Sequence, residues 1–131
     1  EQRFWLAAGA ISGLVAVAAG AFGAHALREL PPRYLDVFKT GAQYQMYHAL
    51  ALLAVARLGR SRWTNVAGGC FLLGTIVFSG SLYVLALTQV DRWGAVTPIG
   101  GGLFLVGWLM LAVGGWRRHT APNRAPSDRR S

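Results

Sequence analysis

A chain of 131 residues, 53% hydrophobic and 14% charged, has room for one domain and too little charge to coat a water-soluble one. The net charge of +8 lies mostly in short connections and a terminal tail, which argues against nucleic-acid binding and reads as membrane topology. The single cysteine, Cys70, sits inside an apolar run, so an intrachain disulfide is excluded and the residue reads as small core.

The first apolar tract, Phe4 to Ala24, runs twenty-one residues without a charge. A bilayer core of about 30 Å takes about 20 helical residues to cross, and a span is predicted over 4–27. Arg3, this tract and Ala24-His25-Ala26 imitate a secretory signal with its cleavage site. The tract exceeds the roughly 7–15 residues of a signal core and further spans follow, so the segment is read as a retained membrane helix. At 100° per residue Gly9, Gly13, Ala16, Gly20 and Gly23 form one stripe, with Phe4, Ile11, Val15 and Phe22 opposite. Helices in lipid associate through close backbone approach at small residues. The glycine stripe is therefore expected against a neighbouring helix, and the large residues against lipid.

The second span, predicted over 34–58, is the least obvious. Pro31-Pro32 closes the preceding connection, and Pro32 or Arg33 can open a helix. Only Ala49 to Ala56 is continuously apolar, but a fourth crossing lets both chain ends lie on one side. Gln43, Tyr44, Tyr47 and His48 lie on one face of this helix. Unpaired polar groups in hydrocarbon cost several kcal/mol each, so that face is expected to point into the bundle. His48 is nine residues from Arg57, about 13 Å of helix, near the membrane midplane.

Trp63 to Val90 and Trp93 to Trp116 are the other uncharged tracts, with spans predicted over 63–88 and 96–116. The third helix has Cys70, Gly74 and Ser81 on one face and Thr75, Ser79 and Tyr83 on another, as a helix with neighbours on both flanks requires. Thr97-Pro98 opens the fourth helix, in which Gly100, Gly107 and Gly114 recur at sevenfold spacing as a second packing seam. From Arg117 to Ser131 the chain turns polar and basic, with five arginines, and reads as a disordered polybasic cytoplasmic tail.

Four spans place Arg3, Arg57, Arg60, Arg62, Arg117, Arg118, Arg124, Arg129 and Arg130 on one side, against Arg28, Arg33, Lys39 and Arg92 on the other. Positive residues are retained in the cytoplasm, so both termini are expected there. Trp5, Trp63, Trp93 and Trp116 fall at span ends, where indole rings favour the headgroup layer. The expected class is an all-α, polytopic four-helix bundle of the cell inner (cytoplasmic) membrane. Its polar residues Gln43, Tyr44, Tyr47, His48, Ser79, Ser81 and Thr97 converge on the extracytoplasmic half.

Four segments carry a family resemblance: Gly20-Ala-Phe-Gly-Ala-His25, Tyr44-Gln-Met-Tyr-His-Ala-Leu-Ala-Leu-Leu53, Phe78-Ser-Gly-Ser-Leu-Tyr83 and Thr97-Pro-Ile-Gly-Gly101. In this order and spacing they resemble the YgdD-like family of small bacterial inner-membrane proteins catalogued as domain of unknown function 423. That family is related to the animal transmembrane protein 256. The resemblance covers about Phe4 to Trp116, implies a four-helix membrane protein and brings no assigned activity.

The favoured functional class is a non-enzymatic accessory or assembly component. Its polar cluster would bind membrane lipid, a membrane-protein partner or a second copy. An oligomeric channel or transporter is the alternative, resting on intramembrane His48; one four-helix unit is thin for a pathway, so an oligomer is required. A membrane-interface transferase would use Ser79 or Ser81 as nucleophile with His48 or His25 as base. No carboxylate is placed to orient either histidine, and no nucleophile motif is present. No metal or cofactor is expected. Paired Cys or His at zinc spacing is lacking, His25 and His48 sit at different depths for a shared haem, and phosphate-loop and dinucleotide signatures are absent.

Overall fold

The computed structural model describes residues 1–120 and is all helical over that range. Helix α1 spans Gln2–His25, α2 Pro32–Arg57, α3 Arg62–Thr88 and α4 Thr97–His119, with a short 3₁₀ turn at Asp91–Ala95 before α4. Local chemistry sets the boundaries. Pro32 and Pro98 stand in the first turns of α2 and α4, where a missing N–H costs nothing. Ser61 opens α3 with a reciprocal capping box: its hydroxyl accepts from the Thr64 amide at 3.1 Å, and the Thr64 hydroxyl accepts from the Ser61 amide at 3.0 Å. Gln89 stops α3 in the left-handed region at φ 56°. Helix α4 carries on through Arg117 and Arg118 to His119, three residues beyond the expected end of the span. The rest of the expected tail, from Ala121, lies outside the described residues.

α1, α3 and the segment Asp91–His119 are long and apolar enough to cross a membrane. α2 is not among them, because Arg33, Asp36, Lys39, Gln43, Gln45 and His48 dilute its apolar content. It nevertheless runs beside α1 along nearly its whole length, from Ala49 and Leu53 at Gly9 to Phe38 at Gly23. The extensive packings are consecutive: α1 on α2, α2 on α3, α3 on α4. At one end α1 also reaches α3, where Trp5 lies over Gly68 and its indole donates to Asn65 at 3.3 Å.

Close approach through small residues makes each of these joints. Between α1 and α2 the buried seam is Gly9, Ser12, Ala16 and Gly23. Gly13 meets only the Ala49 methyl, at 3.8 Å from where its own Cβ would be, and Gly20 has nothing within 4 Å. Gly20 therefore takes no part in the joint, since the seam drifts off the straight stripe as the two helices cross. Phe4, Ile11, Val15 and Phe22 are exposed on the opposite side. Between α3 and α4 the three sevenfold glycines each receive a large residue: Phe78 at Gly100, Phe71 at Gly107, Trp63 at Gly114. The core, built on Leu52, Val55, Ala67, Phe71 and Phe104, lies where α2, α3 and α4 meet. Ile11, Leu14, Val17, Leu105 and Leu109 are all more than half exposed. Such an apolar exterior suits lipid as the surrounding solvent.

Candidate functional site

His48 is the polar residue most deeply committed to α2. It is 4% exposed and lies flat on Phe104 of α4, ring centroids 3.4 Å apart and planes 3° from parallel. Its Nε2 is 3.2 Å from the Trp108 indole nitrogen, and its Nδ1 is 2.7 Å from the Tyr44 carbonyl oxygen. An indole N–H can only donate, so Nε2 accepts and the ring proton sits on Nδ1, donated to Tyr44. The imidazole is thereby fixed as one neutral tautomer with both nitrogens used.

The remaining members of the expected cluster separate into independent pairs. Gln43, Tyr44 and Tyr47 do not turn inward as expected. All three are exposed, with Tyr47 at 48%, and Gln43 donates to the Tyr47 hydroxyl at 2.6 Å along the same face. The inward face of α2 is instead Phe38, Gly41, Ala42, Gln45, Ala49, Leu52 and Val55, because α1 and α3 flank the helix on that side. Ser79 is 1% exposed and donates to the Gly41 carbonyl at 2.7 Å, joining α3 to α2. Ser81 shares a 2.7 Å hydrogen bond with Thr97, joining α3 to α4. The two faces of α3 thus serve its two neighbours.

Gln45 and Trp108 make buried or half-buried polar contacts that the sequence expectations did not include. Buried Gln45 donates from Nε2 to the Ser12 carbonyl at 3.2 Å and accepts from the Tyr83 hydroxyl at 2.6 Å, bridging α1, α2 and α3. Its signal was its place among Gly41, Ala42 and Ala49, which share the small-residue face. Trp108 was the one tryptophan of five not at a span end. An indole N–H in mid-helix needs a partner inside the protein.

Between α2 and α4 a groove of about 530 Å³ opens sideways, lined by Tyr44, His48, Phe78, Phe104, Leu105 and Trp108. His48 and Trp108 close its wall by their mutual hydrogen bond. Replacing Trp108 by Phe keeps an aromatic wall and removes the donor. The expected result is a loss of about 1 kcal/mol, with ¹⁵N spectra keeping the Nδ1–H tautomer, still donated to the Tyr44 carbonyl, while the Nε2 resonance shifts as it loses its donor. An unmoved Nε2 resonance in W108F would show that the indole does not donate to the ring.

Long apolar helices with exposed aliphatic exteriors, joined through glycine seams and buried polar bridges, define a small polytopic helical membrane protein. Comparison with known proteins makes the assignment specific. The family described as "Protein of unknown function (DUF423)" matches residues 19–101, and the chain belongs to that family. A UPF0382 membrane protein of Staphylococcus saprophyticus is 47% identical over 116 residues, 86% of this chain and 97% of its own length. The UPF0382 membrane protein YwdK of Bacillus subtilis is 45% identical, covering 86% and 95% of the two chains. The UPF0382 inner membrane protein YgdD of Escherichia coli is 44% identical over 120 residues, covering 88% and 92%. No solved structure matches the chain.

Proposed function

We propose that this protein is a non-enzymatic accessory or assembly component of the inner membrane, and that the outer face of α2 is where it receives a partner. In this reading α2 is the fourth crossing and both ends of the chain are cytoplasmic. The antiparallel run of α2 along α1 supports the crossing. The gathering of Arg57, Arg60, Arg62, Arg117 and Arg118 at one end of the molecule supports the sidedness.

One observation carries the reading. Asp36, Lys39, Gln43 and Tyr47 follow one another along the exposed face of α2, and Gln43 and Tyr47 lie at the middle of the helix. With α2 in the bilayer, an amide and a phenol at that depth face hydrocarbon, and among the described residues their side chains are satisfied only by each other. Unmet polar capacity there costs several kcal/mol, and a second membrane helix bearing polar groups removes that cost. The groove beside this face, with Tyr44 on its rim, gives such a helix an apolar bed.

Ser79 and Ser81 donate or share hydrogen bonds with Gly41 and Thr97, and His48 with Tyr44 and Trp108. A nucleophile and base need to be paired with each other, so these bonds support a non-catalytic role. They also leave His48 no idle nitrogen for relaying protons. The test is native mass spectrometry of the protein released from membrane into lipid nanodiscs. Wild type is expected as a discrete oligomer or a complex of fixed stoichiometry with a second membrane protein. Gln43→Leu combined with Tyr47→Phe, which removes the polar ridge, is expected to dissociate it. A wild-type protein that is monomeric and alone in lipid overturns the proposal.

A further inference from the structure

We infer that the arginine-rich end of the molecule holds one anionic glycerophospholipid. Its phosphate would lie at Arg62 and Arg117 and the start of an acyl chain in the adjoining apolar slot. This site is at the opposite end of α2 from the outer connections and does not depend on the partner face proposed above.

Charge is the first observation. Arg57, Arg60, Arg62, Arg117 and Arg118 come together where α2 ends, α3 begins and α4 ends. Among the described residues Glu1 is the one carboxylate paired with any of them, at 3.3 Å from Arg60. The opposite end is nearly balanced, with Glu29, Asp36 and Asp91 among Arg28, Arg33, Lys39 and Arg92, and Arg33 paired with Asp91 at 3.2 Å. Anion affinity is therefore concentrated at one end.

Geometry is the second. Two guanidinium groups are drawn to a single indole: that of Arg62 is 4.7 Å from the Trp63 ring centre and that of Arg117 is 5.1 Å from it. A stacked guanidinium keeps its N–H edge available, and that edge matches two oxygens of a phosphodiester. Trp63 thus holds both guanidinium groups within about 5 Å of one ring centre, so the two like charges share one neighbourhood and an anion bound there is attracted to both. Arg118 is engaged differently, donating to the Leu58 carbonyl at the end of α2. It closes the floor of the site and leaves Arg62 and Arg117 as the phosphate ligands.

Against the same indole lies a slot of about 110 Å³, lined by Leu58, Trp63, Met110, Leu111, Gly114 and Gly115 together with Thr64 and Arg118. Its walls are mostly apolar, and a Cβ added at Gly115 would meet nothing within 4 Å. A cationic mouth over an apolar slot at a helix-bundle end calls for an amphipathic anion. In a membrane that means a lipid with a net negative headgroup, since basic pockets between spans at the cytoplasmic side take such headgroups. A zwitterionic lipid offers the same phosphate but brings its own cation among the arginines.

The full chain in detergent, titrated with phosphatidylglycerol or phosphatidylcholine of identical acyl chains and followed by native mass spectrometry, tests the inference. Phosphatidylglycerol is expected to be retained at least about tenfold more tightly. R62Q/R117Q is expected to abolish that preference while leaving weak phosphatidylcholine adducts unchanged. R92Q, a charge change at the other end, should leave it intact. Gly115→Leu fills the slot and leaves every arginine in the chain, and is expected to lower phosphatidylglycerol retention with helicity and melting preserved, which keeps the idea testable if the double variant folds poorly. Free glycerol phosphate, lacking the chains, should not compete at millimolar concentration. Equal retention of the two lipids, or an R92Q loss matching that of R62Q/R117Q, overturns the site in favour of diffuse surface attraction. Full competition by glycerol phosphate overturns the role of the slot.

Discussion

Gly100→Ala is expected to cost about 3 kcal/mol or more, the largest loss from any Gly→Ala change in this protein. A Cβ at Gly100 would stand 2.6 Å from the Phe78 Cβ and 2.7 Å from its Cα, and close to the Phe78 amide nitrogen as well. Overpacking against side chains typically costs 1–3 kcal/mol because they can rotate away. Here the obstacle is the α3 backbone, so α4 itself must move. Any outward shift of α4 also strains the Ser81–Thr97 hydrogen bond, one turn away, and lifts Phe104 from Gly74, where it is already in close contact. Gly102→Ala is the matched control, since nothing lies within 4 Å of its Cβ position. Gly carries a helix penalty of up to about 1 kcal/mol relative to Ala, so that variant should be neutral or slightly more stable. SDS-driven unfolding in mixed micelles, read by helicity and tryptophan emission, measures both. Equal stability of the two variants would mean that α3 and α4 are not joined backbone to backbone at this level.

The same residues show which parts of the architecture were legible beforehand. Uncharged tracts of bilayer length announce α1, α3 and α4, because in lipid an ionised side chain is the costly exception. Pro32 and Pro98 mark helix starts for a reason independent of tertiary structure. The sevenfold glycines of α4 were readable as a seam, since a period of seven keeps a face turned to one neighbour. The rotation of α2 about its own axis was not. A helical wheel groups Gln43, Tyr44, Tyr47 and His48, but it cannot say which part of the circle α1 and α3 occupy. The small residues Gly41, Ala42 and Ala49 held that information, and they point to Gln45 rather than Gln43 as the interior amide. Gly20 illustrates the other limit. A stripe drawn on one straight helix ignores the angle at which its neighbour crosses, and the contact jumps from Ala16 to Gly23 past it.

Gln45→Leu and Tyr83→Phe are each expected to lower stability by about 1–2 kcal/mol, and the double variant by much less than their sum. The Tyr83 hydroxyl donates to Gln45 Oε1 at 2.6 Å, and Gln45 Nε2 donates to the Ser12 carbonyl at 3.2 Å. Each single change strands a half-buried or buried polar group, which forfeits its desolvation without return. Removing both leaves no orphan between α2 and α3. The Ser12 carbonyl loses little in either case, because α1 already uses it in its own ladder. Measured hydrogen bonds between membrane helices average only about 0.6 kcal/mol, with the largest near 1.7, since an unfolded chain in the bilayer finds other partners. A coupling energy near the upper figure is expected here, as the acceptor is 6% exposed and the bond is short. A double-mutant cycle in mixed micelles gives that coupling directly. Strict additivity would shift the alignment of α2 between α1 and α3 from the Gln45 bridge to the glycine contacts at Gly9 and Gly41. In that case Gly41→Ala, whose Cβ would press on the Tyr83 ring at 3.0 Å, becomes the more damaging change.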